Sequence, residues 1–367
     1  MTSRERINAV FERKQPDKIP VDLSSRSTAV ELEPYERLKH HLGVQTPTRR
    51  FLRDHAQLAD GIIELFHIDT EFVRSFGDEM YRTETNGDVV FRDEWGVDWR
   101  KAANGHYFEL DNRRFGGKAF AEIEWPGGIV TLEQLDAMAE QARDLTQNTN
   151  RAVFCDYVGP CVFERSWYLR GLDEFLIELL AEAEFAHRYI GRITEIQLSA
   201  YQSILEAMGD DIEGFFIIDD LAMQSGLMIS PDTYRTMIKP YHKQIFDLIH
   251  QHDKRIIYHS CGSIVGLIPD LIEIGIDALN PLQFSAAHMD PLYLKQEFGK
   301  EIVLWGGGCS TQSTLAFGSP RDVTDEVRRR MDILAKDGGY VFAAEHCIQP
   351  GTPVDNIIAM FESVNSV

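Results

Sequence analysis

Several absences narrow the possibilities first. Cysteine is scarce, five in 367 residues, and the opening stretch MTSRERINAVFERKQPDK has no apolar core of the kind that directs secretion. No apolar run approaches the length of a membrane span. Together these predict a cytoplasmic protein, in which thiols serve as core residues, metal ligands or catalytic groups rather than disulfides. A Lys/Arg-rich block is missing too: 37 basic residues stand against 58 acidic ones, a net charge of −21. A chain with no basic face has no electrostatic hold on a phosphate backbone, which argues against a nucleic-acid partner. Internal repeats and low-complexity tracts are also absent.

What is present is enough apolar sequence for a large core, 44% of residues, and a recurring grammar. Short apolar or β-branched runs end in Gly, Ser, Asp, His or Cys, at 18–25, 68–76, 152–159, 214–220, 255–262, 277–283, 302–308 and 340–347. Helical patterns such as 232–252 and 320–335 lie between the later runs. Ser230-Pro231, Asp290-Pro291, Ser319-Pro320 and Thr352-Pro353 each pair a capping side chain with a proline suited to the first helical position. Pro240 predicts a kink within 232–252, and His242, His250 and His252 on that pattern read as solvated. Strands alternating with helices imply parallel β/α units with right-handed crossovers. Eight of them predict an α/β fold, a closed (β/α)₈ TIM barrel.

The stretch from about 77 to 150 breaks this rhythm. Its GDVVFRDEWGVDWRKAANGHYFEL alternates and is turn-rich, which predicts a β-rich insertion after the second strand. Trp95, Trp99, Tyr107 and Phe108 within it form either the insertion's own core or a wall over the site.

In such a barrel the C-terminal ends of the strands form one functional rim. Here that rim holds Arg26, Arg74, Asp156, Asp219, Asp220, His259, Cys261, Asn280, Cys309, Glu345, His346 and Cys347. His259 and Cys261 are two apart at a strand end, so both side chains can face the same way. Zinc takes imidazoles and thiolates, and a catalytic zinc keeps one position open. On the residues alone the third ligand is open between Cys347, at the end of the last strand, and Cys309, at the end of the seventh. Asp219 and Asp220 are candidate catalytic groups that orient or protonate substrate or support a ligand; the plainer alternative is a helix cap. Arg26, Tyr157, Gln224 and Gln283 are candidate substrate contacts. Gly306, Gly307 and Gly308, with no phosphate-binding motif after them, predict close backbone approach to a bulky cofactor or partner.

The segments YHSCGSIVGLIPDLIEIGIDALNPLQ, SPDTYRTMIKPYHKQIFDLI, FGSPRDVTDEVRRRMDIL and TPVDNIIAMFESV resemble the uroporphyrinogen decarboxylase superfamily, as does the N-terminal TSRERINAVFERKQPDKIPVDL. The resemblance implies one (β/α)₈ barrel domain over 1–367. One branch of the superfamily consists of metal-free decarboxylases with an arginine-rich RQAGR-type stretch for the carboxylates of a tetrapyrrole. The corresponding DLSSRSTAVELEPYERLKHH has Arg26 and then acids. The other branch, the cobamide methyltransferases, carries HxC followed much later by a cysteine. The resemblance places that zinc motif at His259, Cys261 and Cys347.

Methanol and methylamine enzymes have GCG at this last point. The EHCIQ of this chain is similar instead to corrinoid-dependent O-demethylase methyltransferases, and it offers Glu345 and His346 as alternative or additional ligands. The implied reaction moves a methyl group from a methoxylated, aromatic small molecule to the cobalt(I) of a corrinoid (cobalamin). The corrinoid would be carried by a small partner protein, since no DxHxxG-type signature occurs here. The alternatives are a metal-free lyase of the decarboxylase type and a cobamide methyltransferase acting on methanol, methylamine or coenzyme M.

Overall fold

The computed structural model describes residues 1–74, 80–105 and 107–366. Ser75 and Phe76, the end of the expected second strand, and residues 77–79, the start of the expected insertion, lie outside the described residues.

Seven parallel strands pair in chain order: Thr70–Val73, Ala152–Cys155, Gly214–Ile218, Arg255–His259, Ala278–Asn280, Val303–Trp305 and Tyr340–Val341. The eighth position is filled by little more than one residue. Val21 bridges Ile68 on one side and Phe342 on the other, both in parallel, so the curled sheet closes. The Asp22 N–H donates to Phe342 O and the Asp69 N–H to Val21 O, each at 2.8 Å. The fold is therefore a TIM-like barrel, and each strand lies where an apolar run predicted one.

The barrel interior is filled with side chains rather than hollow. Phe72, Phe154, Phe216, Ile257, Val303, Trp305 and Val341 form one buried cluster. Ile7 and Val10 of the helix Ser3–Phe11 join it and plug the end opposite the rim. Trp305 keeps its indole N–H satisfied by donating to Asp22 Oδ2 at 3.0 Å.

Beyond the second strand the chain forms a four-stranded antiparallel sheet: Arg82–Thr83, Val89–Arg92, Asp98–Lys101 and Glu109–Leu110. This is the β-rich layer that the alternation predicted, but it is shorter than the span 77–150. Leu132–Asn148, capped by Thr131, is the crossover helix between the second and third barrel strands. The layer is tied down through Arg165, on the helix Val162–Arg170, which donates to Asp93 at 2.8 Å. A second small element was not anticipated. Arg49–Leu52 and His55–Gln57 form a hairpin whose tight turn holds Arg53 at a left-handed φ of 51°.

Three of the four expected caps form: Ser230, Asp290 and Ser319 accept from the N–H of Thr233, Tyr293 and Asp322. The Thr352 hydroxyl instead donates to Gln349 O, and Pro353 stands at the cap position. The helix carrying Pro240 does not break. A wide turn over Tyr234–Ile238, with i to i+5 bonding, absorbs the missing N–H before the helix resumes at Lys239–Gln251. Among the described residues no helix is long and apolar enough to cross a membrane.

Candidate metal centre at the barrel mouth

The fifth strand ends at His259, in register with Asn280 of the sixth. The His259 Nδ1–H donates to Asn280 Oδ1 at 2.6 Å, and the Asn280 amide donates in turn to Trp305 O at 3.2 Å. This chain of donors fixes which face of the imidazole carries its hydrogen. Nε2 is left bare toward the rim, with Cys261 Sγ 3.4 Å away. Cys261 is held by its backbone: its N–H donates to Asp220 Oδ1 at 2.7 Å. The next N–H, that of Gly262, donates to Gln283 Oε1 at 2.7 Å. Gly262 lies at φ +84°, and a Cβ there would meet Met223 O at 2.7 Å, so this turn needs glycine.

His346 completes the group. One ring nitrogen each of His259 and His346 and the sulfur of Cys261 all lie within 4.8 Å of one another. Burial pushes both imidazoles down, each to about 4, so both stand neutral with a lone pair to offer. Burial, and then the charge of Asp220, pushes the Cys261 thiol up. A divalent cation reverses that preference, because it stabilises the thiolate outright. Two imidazoles and one thiol, with the histidine hydrogen anchored behind, are a zinc donor set that leaves a fourth position open.

Cys347 does not stand in this group. The chain bends at Glu345 and His346, so adjacent side chains diverge. Cys347 Sγ lies 3.2 Å from Arg26 O and 3.5 Å from His55 Nε2, on the other wall of the same cavity. Cys309 is fully buried in the core. Glu345 accepts from the Phe284 N–H at 3.2 Å.

The two aspartates separate in the same way. Asp219 is wholly buried, accepts from the N–H groups of Phe163 and Glu164 at 2.9 and 2.6 Å, and pairs with His242 Nε2 at 2.7 Å. It caps the helix after the third strand and does not reach the cavity. His242, expected in solvent, is buried as its partner. Asp220 does face the cavity, 3.9 Å from His259 Nε2.

The remaining candidates are mostly structural. Gly306, Gly307 and Gly308 are buried, and a Cβ on them would press on Asn280, Leu282 and Phe284, or run into the Phe342 ring. The close approach they permit is to the protein's own residues. The Tyr157 hydroxyl donates to Ile129 O at 3.1 Å. Gln224 is exposed on a hairpin turn, away from the cavity lining. Gln283 braces Gly262 and so acts on the turn behind Cys261. Arg26 lines the cavity and lies 3.7 Å from Asp156.

The cavity has a volume of about 230 Å³. Arg53, His55, Glu164 and Tyr168 line it, none of them singled out by the sequence pattern. Glu164 is buried and accepts from the Tyr168 hydroxyl at 2.6 Å, and its second oxygen has no side-chain partner among the described residues. Burial, and then the nearby Asp220 and Asp219, push its carboxyl up. Tyr107 and Phe108 line the same space, whereas Trp95 and Trp99 are buried in the insertion.

Residues 157–367, more than half of the chain, match the family described as Uroporphyrinogen decarboxylase (URO-D). The chain is 25% identical over 191 residues to a uroporphyrinogen decarboxylase of Synechocystis sp., covering 51% of this chain and 49% of that protein. It is 23% identical over 198 residues to one of Thermus thermophilus, covering 52% and 51%. The chain thus spans about half the length of the curated relatives it matches. A solved methyltransferase from Methanosarcina mazei shares the fold, with a TM-score of 0.71, 16% identity, and coverage of 100% of this chain and 99% of that one.

Proposed function

Because the chain belongs to the uroporphyrinogen decarboxylase (URO-D) family, we propose that it is a zinc-dependent methyltransferase of that family. It takes a methyl group from a methoxylated small molecule and passes it to the cobalt(I) of a corrinoid held by a separate small protein. The observation that carries this reading is the group His259, Cys261 and His346, open on one side, at the mouth of the barrel. These three residues would hold the metal, with Cys347 in reserve across the cavity. Bound there, Zn²⁺ would supply Lewis acidity toward an ether oxygen, the chemistry that a poor leaving group needs.

The chain's own residues do the rest. Asn280 keeps the His259 hydrogen away from the donor face, and Asp220 and Gln283 hold the turn that presents Cys261. Glu164 can keep a proton on its second oxygen for the departing alkoxide or phenoxide, while the Tyr168 hydroxyl steadies the other. Tyr107, Phe108 and Tyr168 give an apolar wall for the substrate.

The same cavity argues against the metal-free lyase. Its volume of about 230 Å³ is below the roughly 300–1,000 Å³ of pockets that take drug-sized ligands, far short of a tetrapyrrole. Among the described residues two arginines line it, and Arg26 already faces Asp156. The test follows cobalt absorbance under strict reduction, with cobalt(I) cobalamin as acceptor and methoxybenzoates, methanol and methylamines as donors. Methylation from a methoxylated aromatic is expected. Methylation from methanol or methylamine alone would overturn the donor class. No methylation from any donor, together with decarboxylation of a porphyrinogen, would overturn the whole reading.

A further inference from the structure

Most cations near the mouth already have an acid. Arg50 and Lys101 both reach Asp54, and Arg26 and Arg74 both reach Asp156. Arg53 differs. Its guanidinium has no hydrogen bond or ion pair among the described residues; only its backbone N–H is engaged, by Tyr81. The left-handed turn of the hairpin projects it over the cavity, and its guanidinium carbon lies 4.9 Å from the ring centre of Trp99. That stacking fixes the plane of the guanidinium without using its N–H donors. Arg53 lines the same cavity as His55, Asp220, His259 and His346, so it looks onto the same space as the metal group.

A half-buried guanidinium with its donors unengaged is matched by a planar anion, and a carboxylate takes the fork in two parallel bonds. We propose that Arg53 anchors a carboxylate on the methyl donor, which makes the substrate class small methoxylated carboxylic acids. The inference rests on the reading of this cavity as the methyl-donor site. The cavity's size suits a single ring with its substituents. The acids that face the anion do not cancel the anchor. Asp54 is paired with Lys101, Asp220 is engaged by the Cys261 N–H, and burial favours the neutral form of Glu31 and Glu164.

Calorimetric titration of the purified full chain, without any corrinoid, tests this. The probes are 4-methoxybenzoate, the neutral 4-methoxybenzamide and inorganic phosphate. The acid should bind at least about tenfold more tightly than the amide. Arg53→Gln should remove that advantage while leaving the amide's affinity unchanged, and Arg53→Lys should restore part of it. Unaltered binding of the acid to Arg53→Gln overturns the anchor. Phosphate that binds more tightly than the acid, through Arg53, also overturns it and assigns the arginine to a phosphate group instead. Because no turnover is needed, the two readings fail separately. Arg53-dependent binding of the acid with no methyl transfer sinks the methyltransferase and keeps the anchor. Equal transfer from the acid donor by wild type and Arg53→Gln sinks the anchor and keeps the methyltransferase.

Discussion

The Nδ1 hydrogen of His259 points at the side-chain oxygen of Asn280, 2.6 Å away, and the bare Nε2 therefore faces the cavity. An imidazole free to turn would offer its donor face only part of the time. Asn280→Ala should therefore weaken zinc binding by about 10- to 100-fold while the barrel stays folded. Competition against a chromophoric chelator measures this. Unchanged affinity would mean that the neighbouring strand does not set the orientation.

The adjacent residues His346 and Cys347 give opposite expectations. His346→Ala should lose most of the bound zinc, since its ring stands with His259 and Cys261. Cys347→Ser should keep it, since that sulfur faces Arg26 and His55. Metal analysis of both variants decides. Zinc kept in His346→Ala and lost in Cys347→Ser would restore the thiol as third ligand.

Asp219 bears on stability rather than on the metal. Removing it leaves two buried amide N–H groups and His242 without their acceptor. Asp219→Ala should cost on the order of 3 kcal/mol, seen as a lowered denaturant midpoint. A midpoint within error of wild type would show that the cap is dispensable.

The barrel was legible in the sequence because each strand is a short apolar run with a polar stop, and the HxC pair was legible because two-residue spacing puts both side chains on one face. Neighbouring residues were harder. Asp219 and Asp220, like His346 and Cys347, differ only in which side of a bent backbone they occupy, and that is decided by long-range packing. Arg53 was hidden for another reason. Its hairpin is short, its turn carries no Asn-Gly or similar signal, and the left-handed backbone falls on an arginine. Glu164 sits on a helix whose pattern gives no hint that one acid points into the mouth.

Glu31 carries a pH dependence. Burial, and then Asp54, raise its carboxyl to about 7 from an ordinary 4.5. A raised acid favours the folded state in its neutral form, so its contribution is complete below about 4.5 and is lost as the pH rises through about 7. Glu31→Gln should match wild type at pH 4.5 and melt at a higher temperature at pH 8. Parallel melting curves across that range would show that Glu31 is already ionised in the folded protein.

The zinc content of the purified protein, measured by elemental analysis on wild type and on Cys261→Ser, tests the central claim most directly. The account predicts close to one zinc per chain in wild type and less than about a tenth of that in the variant, whose loss of one thiolate from a three-ligand site removes most of the affinity. Wild type with no zinc after growth and purification in its presence, or a variant that retains it in full, would contradict the account.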